Sequence, residues 1–156
     1  MARVTDIDAE PTVLVRTEGA LGRLTLNRPK AINALDIDMI GQALDAWEHD
    51  PSVALVLLDG AGDRGLCAGG DVRALYDQVT AGEAQRTADF FRAEYALNLM
   101  ISEYPKPIVA IADGITMGGG IGLAGHAAIR IVTERSRLAM PETRIGFTPD
   151  VGGTYL

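Results

Sequence analysis

Two carboxylates, Glu142 and Asp150, stand in the closing segment Met140-Pro-Glu-Thr-Arg-Ile-Gly-Phe-Thr-Pro-Asp-Val-Gly-Gly-Thr-Tyr-Leu156. Each follows a proline, Pro141 or Pro149, that restricts the local backbone, while Gly146, Gly152 and Gly153 permit tight turns or the close approach of a ligand. Acids held on a shaped loop can divide acid and base roles between them. The same residues also suit a helix start at Glu142 and a surface turn at Pro149-Asp150, which is the commoner use of such a pattern. What the rest of the chain can bring to face them decides between the readings.

Glycine-rich segments are the other chemical feature. Gly60-Ala-Gly-Asp-Arg-Gly-Leu-Cys-Ala-Gly-Gly70 leads into Asp71, and Ile115-Thr-Met-Gly-Gly-Gly-Ile-Gly-Leu-Ala-Gly125 sets three consecutive glycines before a short helix of small residues. A helix start has N–H groups without intrahelical acceptors, and these face an anion readily. One N–H from each turn, brought to a shared point, makes an oxyanion hole for an enolate or a tetrahedral thioester adduct. Loss of one such donor typically costs about 3–4 kcal/mol. Side chains are not needed for this, and a Cβ would obstruct the carbonyl at its closest approach.

Apolar strands and amphipathic helices must position these parts. Pro11 to Thr17 and Ala20 to Leu26 read as a hairpin turning at Glu18-Gly19, and Asn27-Arg28-Pro29-Lys30 breaks the pattern. Asp36 is placed to cap a helix with Ile40, Ala43, Leu44 and Trp47 on its core face. Val53 to Leu58 is a continuous apolar run, expected as a strand buried on both faces, and Asp71 is placed to cap a helix from Val72 towards Gln78. Phe90, Ala93, Leu97, Met100, Ile101 and Tyr104 form a helical stripe, read as packing, that ends at Pro105. Pro107 to Ala112 and Ala128 to Thr133 read as further strands, with Leu138 to Met140 a short extended piece before Pro141. The recurrence of strand, glycine turn and helix reads as a weak internal repeat.

The totals bound the possibilities. With 156 residues and 47% hydrophobic side chains, one core is expected, with residues 1–10 as a tail and 11–156 as a single domain. No run approaches the ~18–20 uninterrupted apolar residues that cross a bilayer, so a soluble domain without a membrane partner is expected. The opening residues Met1 to Pro11 lack an apolar signal core, which makes a cytoplasmic address the default. A net charge of -7 argues against nucleic acid as a partner, although Arg23, Arg28, Lys30 and Arg73 could still meet a phosphorylated small molecule. The single cysteine, Cys67, excludes an internal disulfide and reads as a packing residue. His49 and His126 are isolated, so no metal is implied, and no Gly-x-Ser-x-Gly elbow supports a serine triad.

Cys67-Ala-Gly-Gly-Asp71, Asp113-Gly-Ile-Thr-Met-Gly-Gly-Gly120 and Pro141-Glu142 stand in the order seen in the crotonase superfamily, the enoyl-CoA hydratase/isomerase family, and the chain resembles it from about Val13 to Leu156. Within it, Met140-Pro-Glu-Thr143 and Ile145-Gly-Phe-Thr-Pro-Asp-Val-Gly-Gly153 resemble the 3-hydroxyisobutyryl-CoA hydrolase subgroup, which acts in valine breakdown. The resemblance implies an α/β fold, a crotonase-like spiral of ββα repeats. It also implies that the amides of Gly70 and Gly119 polarise a thioester carbonyl, with Glu142 as the principal catalytic carboxylate and Asp150 as the second acid. Gly122 falls where hydratases carry their other catalytic glutamate, a departure that favours hydrolysis over hydration. By the same resemblance the acyl-CoA lies near Ala68, Asp71, Gly118 and Gly122, with its nucleotide near the loop bearing Arg28, Lys30 and Ala31. Coenzyme A is then part of the substrate, and no separate cofactor is expected.

The resemblance also implies a C-terminal helical part that this chain does not carry. That part is expected from a separate C-terminal chain or from the remainder of the same protein, in a homo-oligomer. Two other readings stay open: hydration or isomerisation of an enoyl-CoA on Glu142 alone, and an acyl-CoA-binding or subunit module without turnover. A doubly wound dinucleotide fold is disfavoured, because neither glycine run has the Gly-x-Gly-x-x-Gly spacing after the first strand.

Overall fold

Alternation of apolar residues in the first thirty positions produces a hairpin. Strands β1 (Val13–Glu18) and β2 (Leu21–Leu26) pair antiparallel, with Val13 opposite Leu26 and Glu18 opposite Leu21. Gly19, at φ +61°, makes the left-handed turn between them, as the Glu18-Gly19 reading requires. The computed structural model describes residues 10–156, so all of the expected 1–10 tail except Glu10 lies outside the described residues.

From β2 the chain crosses through helix α1 (Ile37–Glu48) to β3 (Leu55–Gly60), and every later neighbour in the sheet is parallel. Asp36 caps α1 as expected, its carboxylate accepting from the Met39 N–H, and Ile40, Ala43, Leu44 and Trp47 are all buried. Trp47 lies so close under β2 that a Cβ on Gly22 would stand 2.8 Å from its Cε3 atom; the glycine makes room for the indole. The five-stranded sheet runs β1-β2-β3-β4-β6, with β4 at Ile108–Ile111 and β6 at Ile129–Ile131. A second, two-stranded parallel sheet pairs β5 (Ile115–Met117) with β7 (Arg137–Ala139).

Helices α2 (Val72–Thr80), α3 (Ala84–Ser102) and α4 (Gly119–His126) complete the ordered elements used below. The core joins β1–β4, α1, α3 and α4 through residues such as Leu24, Leu44, Val56, Leu58, Leu97, Ala110 and Leu123. The burial expected on both faces of the Val53 to Leu58 strand changes. In β3 only Val56 and Leu58 are fully buried, with Leu55 and Leu57 intermediate, because one sheet face is covered less completely than the other. In β6 all three residues are exposed, since the strand is the open edge of the sheet. No helix among the described residues is long and apolar enough to cross a membrane.

The glycine turns, distant in sequence, are stitched together. Gly65 bridges Gly114 antiparallel and Cys67 bridges Thr116 parallel, with the Leu66 N–H donating to Asp113 O at 3.0 Å and the Met117 N–H to Cys67 O at 2.9 Å. At Gly65, φ is +152° and a Cβ would fall 2.2 Å from Ile115 N, so only glycine permits this approach. The two glycine turns are thus in direct backbone contact, each forming part of the other's edge.

Candidate active site

The turn at Gly118 determines where the two N–H donors lie. Gly118 has φ +52° and caps α4, and a Cβ on Gly69 would stand 3.2 Å from Gly119 N, so the turns ahead of α2 and α4 touch. Neither the Gly70 nor the Gly119 N–H has an acceptor among the described residues. Both glycines border a cavity of about 570 Å³, which is also lined by Ala68, Gly69 and Gly118. Two unpartnered backbone donors at touching glycine turns have the composition of an oxyanion hole.

Glu142 faces that turn from the opposite side. It begins a short 3-10 turn, Glu142–Ile145, directly after Pro141, and is 7% exposed with neither carboxylate oxygen hydrogen-bonded. A Cβ on Gly118 would lie 3.3 Å from Glu142 Oε1, which measures how closely the acid approaches the turn. A buried carboxylate without protein partners is costly, and such groups concentrate where a ligand or reacting atom completes the hydrogen bonding. Asp150 lines the same cavity, with one oxygen, Oδ2, accepting from the Tyr95 hydroxyl at 2.7 Å.

A third acid joins them. Glu94 of α3 is 4% exposed, lines the cavity, and lies so near that a Cβ on Gly119 would fall 2.3 Å from its Oε1. Burial first, then the neighbouring Asp150 and Glu142 charges, push its carboxyl up to about 7. Near neutral pH it can therefore donate a hydrogen bond as well as accept one. Sequence reading took the α3 stripe as packing and missed Glu94. The signal was present: the acid lies four residues after Phe90 and three before Leu97, on the face that the apolar residues mark as buried.

The remaining wall is apolar. Val72, Leu75, Tyr76 and Val79 of α2 meet Phe90 and Phe91 of α3 and Phe147 beyond the 3-10 turn. Phe91 stacks on Phe147 with ring centroids 5.3 Å apart and 18° between planes. The α2 helix is capped as expected, the Asp71 carboxylate accepting from the Ala74 N–H. The Phe90 ring explains why Gly70 lacks a side chain, since a Cβ there would meet Cζ at 2.8 Å.

Several residues assigned to the substrate by resemblance do not border this cavity. Gly122 is buried beneath Val151 and Asn98, where a Cβ would approach Asn98 Oδ1 to 2.7 Å and Val151 Cβ to 2.9 Å. Its place is under the Asp150 loop, not in the cavity wall. Arg28, Lys30 and Ala31 lie on a flanking loop joined to the cavity rim through the Ala68 N–H, which donates to Ile32 O at 3.0 Å. Arg28 pairs with Asp71 at 3.0 Å, which turns both towards each other; Arg23 likewise pairs with Asp59 at 2.6 Å. Lys30 and Arg73 are exposed and form no ion pair among the described residues. Cys67 is wholly buried, and burial pushes its thiol up to about 12, which leaves no reactive thiolate. No group of three or more His, Cys, Asp or Glu side chains is arranged to hold a metal among the described residues.

Known proteins share this fold. The chain is 50% identical over 151 residues to a protein named 3-hydroxyisobutyryl-CoA hydrolase, mitochondrial, from Gallus gallus, covering 95% of this chain and 39% of that protein. The Rattus norvegicus protein of the same name is 51% identical, with 92% and 38% covered. Among solved structures, an enoyl-CoA hydratase from Rhodobacter sphaeroides superposes with a TM-score of 0.90 at 48% identity, over 93% of this chain and 44% of that one. A carnitinyl-CoA dehydratase from Mycobacterium thermoresistibile gives 0.87 at 54%, over 94% and 44%. The chain thus spans about two-fifths of the length of these relatives. It has their crotonase fold, and the family model for enoyl-CoA hydratase/isomerase matches residues 21–156: the chain belongs to that family.

Proposed function

We propose that this chain carries the chemistry of acyl-CoA thioester hydrolysis, with 3-hydroxyisobutyryl-CoA as substrate and 3-hydroxyisobutyrate and coenzyme A as products. The observation that carries the reading is the buried, unpartnered Glu142 carboxylate beside the Gly70 and Gly119 amides, with Asp150 in the same cavity and glycine at position 122. The thioester oxygen accepts from the two amides, which draws electron density from the carbonyl carbon. Glu142 either takes a proton from water, whose oxygen then bonds to that carbon, or bonds to it directly to give an anhydride that water opens. In both routes the tetrahedral adduct collapses, the C–S bond breaks and the thiolate leaves to take up a proton. A thiol of pKa about 8.5 leaves far more easily than an alcohol or amine. Asp150 and the protonated Glu94 address the acyl hydroxyl, and the proton taken from water, directly or on opening the anhydride, passes to the departing thiolate.

The names of the Gallus gallus and Rattus norvegicus relatives support this substrate, while the two solved structures described above are named for hydration and dehydration. Enoyl-CoA hydration is therefore the second reading. Against it stands Gly122, which lies beneath Val151 where a glutamate side chain has no room. Coenzyme A enters as part of the substrate, its nucleotide towards Ala68 and the Arg28–Ala31 flank, and no further cofactor takes part. The partner that completes the site is the remainder of the same protein or a separate C-terminal chain, in a homo-oligomer. The vertebrate relatives are named as mitochondrial, so the cytoplasmic address expected from the opening residues finds no support among them.

The test offers purified protein 3-hydroxyisobutyryl-CoA and crotonyl-CoA side by side. Free-thiol release from the first, with little hydration of the second, is expected. Fast hydration of crotonyl-CoA without thiol release would replace the proposal with the second reading.

A further inference from the structure

The backbone that carries Asp150 is fixed from three directions. The Gly153 N–H donates to Asp150 O at 2.8 Å, and His126 Nε2 lies 2.7 Å from Val151 O, an arrangement in which that nitrogen carries the proton. Val151 is 2% exposed and its side chain enters the notch left by Gly122, against Asn98. Its φ is +48°, a left-handed conformation rare for a β-branched residue, so surrounding contacts must hold it there. These contacts place the Cα of Asp150 but leave its carboxylate free to rotate about the side-chain bonds.

Only one side chain among the described residues hydrogen-bonds that carboxylate: the Tyr95 hydroxyl, which donates to Oδ2 at 2.7 Å. Tyr95 lies on α3 next to Glu94, and its ring packs on Phe91 with centroids 6.2 Å apart; Phe91 in turn stacks on Phe147. The hydroxyl is thus held at the end of an aromatic row whose Phe91 and Phe147 line the cavity. Its proton is retained well above the ordinary phenol range, through loss of hydration and then through the bond to Asp150, so it remains a donor at neutral pH.

We propose that Tyr95 is the positioning residue for Asp150: by holding Oδ2 it fixes the carboxylate plane and leaves Oδ1 as the oxygen presented to the substrate. This inference rests on the hydrolytic reading above, in which Asp150 takes part. A hydrogen bond to a charged group is strong enough that its loss corresponds to a factor of about 10 or more in rate, if the geometry it secures matters in the transition state.

The experiment is a cycle of Tyr95→Phe, Asp150→Asn and the double variant in the full chain, read as thiol release from 3-hydroxyisobutyryl-CoA. Tyr95→Phe keeps the ring and its packing, and circular dichroism and Tm verify that it folds. The expected result is a fall in kcat of about 10-fold with KM changed less than about 2-fold, and no further fall when Tyr95→Phe is added to Asp150→Asn. If Asp150→Asn lowers turnover below detection, Asp150→Glu serves as the background, with the same comparison. A Tyr95→Phe variant with unchanged kcat, or one whose full loss recurs in the altered Asp150 background, overturns the inference while leaving the hydrolytic reading in place. Full activity in Asp150→Asn overturns the inference together with the part given to Asp150, whereas absence of thiol release from the unaltered protein overturns the hydrolytic reading itself.

Discussion

At the scale of single residues, the site is a competition between carboxylates for an apolar cavity. Glu142, Asp150 and Glu94 share it, and the pKa of Glu94 rises from 4.5 to about 7 because burial and two acidic neighbours disfavour its charge. The consequence for stability follows from linkage. Between about pH 4.5 and 7 the folded protein keeps a proton that the unfolded chain has released, so stability falls as pH rises through that window and levels off above it. Glu94→Gln removes this slope. Denaturant unfolding at pH 5 and pH 8 is expected to show the variant gaining about 1–3 kcal/mol relative to the parent between the two. Parallel pH profiles would show that Glu94 does not titrate in this range. Glu142 and Asp150 were legible in the sequence because prolines and glycines frame them; Glu94 was not, because one acid in an apolar helical stripe is ordinarily a boundary error or a solvated edge.

At the scale of elements, the sequence identified helices by their caps and strands by their apolar runs, and these readings hold where local chemistry sets the structure. Asp36 and Asp71 cap α1 and α2, the hairpin turns at Gly19, and the buried face of α1 is the predicted one. What local patterns did not carry is the contact between distant turns: the bridges from Gly65 to Gly114 and from Cys67 to Thr116 depend on tertiary packing. Similarly, α2 was read as a capped helix, yet Val72 and Val79 are more than half exposed because its apolar face borders the cavity and not the core. Asp71 matters doubly, since it caps α2 and pairs with Arg28. Asp71→Ala is expected to destabilise the protein by about 1 kcal/mol through loss of the cap, with a rise in KM as α2 loosens. A thermal melt and a substrate titration check both, and an unchanged Tm would show that the cap is dispensable.

At the scale of the whole molecule, part of the exposed apolar surface gathers around Leu156, which lines one cleft with Val132 and Leu138 and another with Leu99 and Tyr155. Ile129, Ile131 and Val132 on the β6 edge and just beyond it, Leu138 of β7, and Leu156 are exposed together with Leu99 and Tyr155. An open parallel edge of this kind invites pairing with another chain. Residues 1–156 prepared alone are therefore expected to self-associate with increasing concentration in sedimentation, and Ile131→Lys to reduce it; a monodisperse monomer at high concentration would contradict this. The chain spans about two-fifths of the length of the Gallus gallus and Rattus norvegicus relatives. The central claim, that Glu142 performs thioester hydrolysis, is tested most directly by Glu142→Gln in the complete protein with 3-hydroxyisobutyryl-CoA. The account predicts thiol release reduced at least about 100-fold with folding and substrate binding retained; a variant that releases thiol at the parental rate would contradict it.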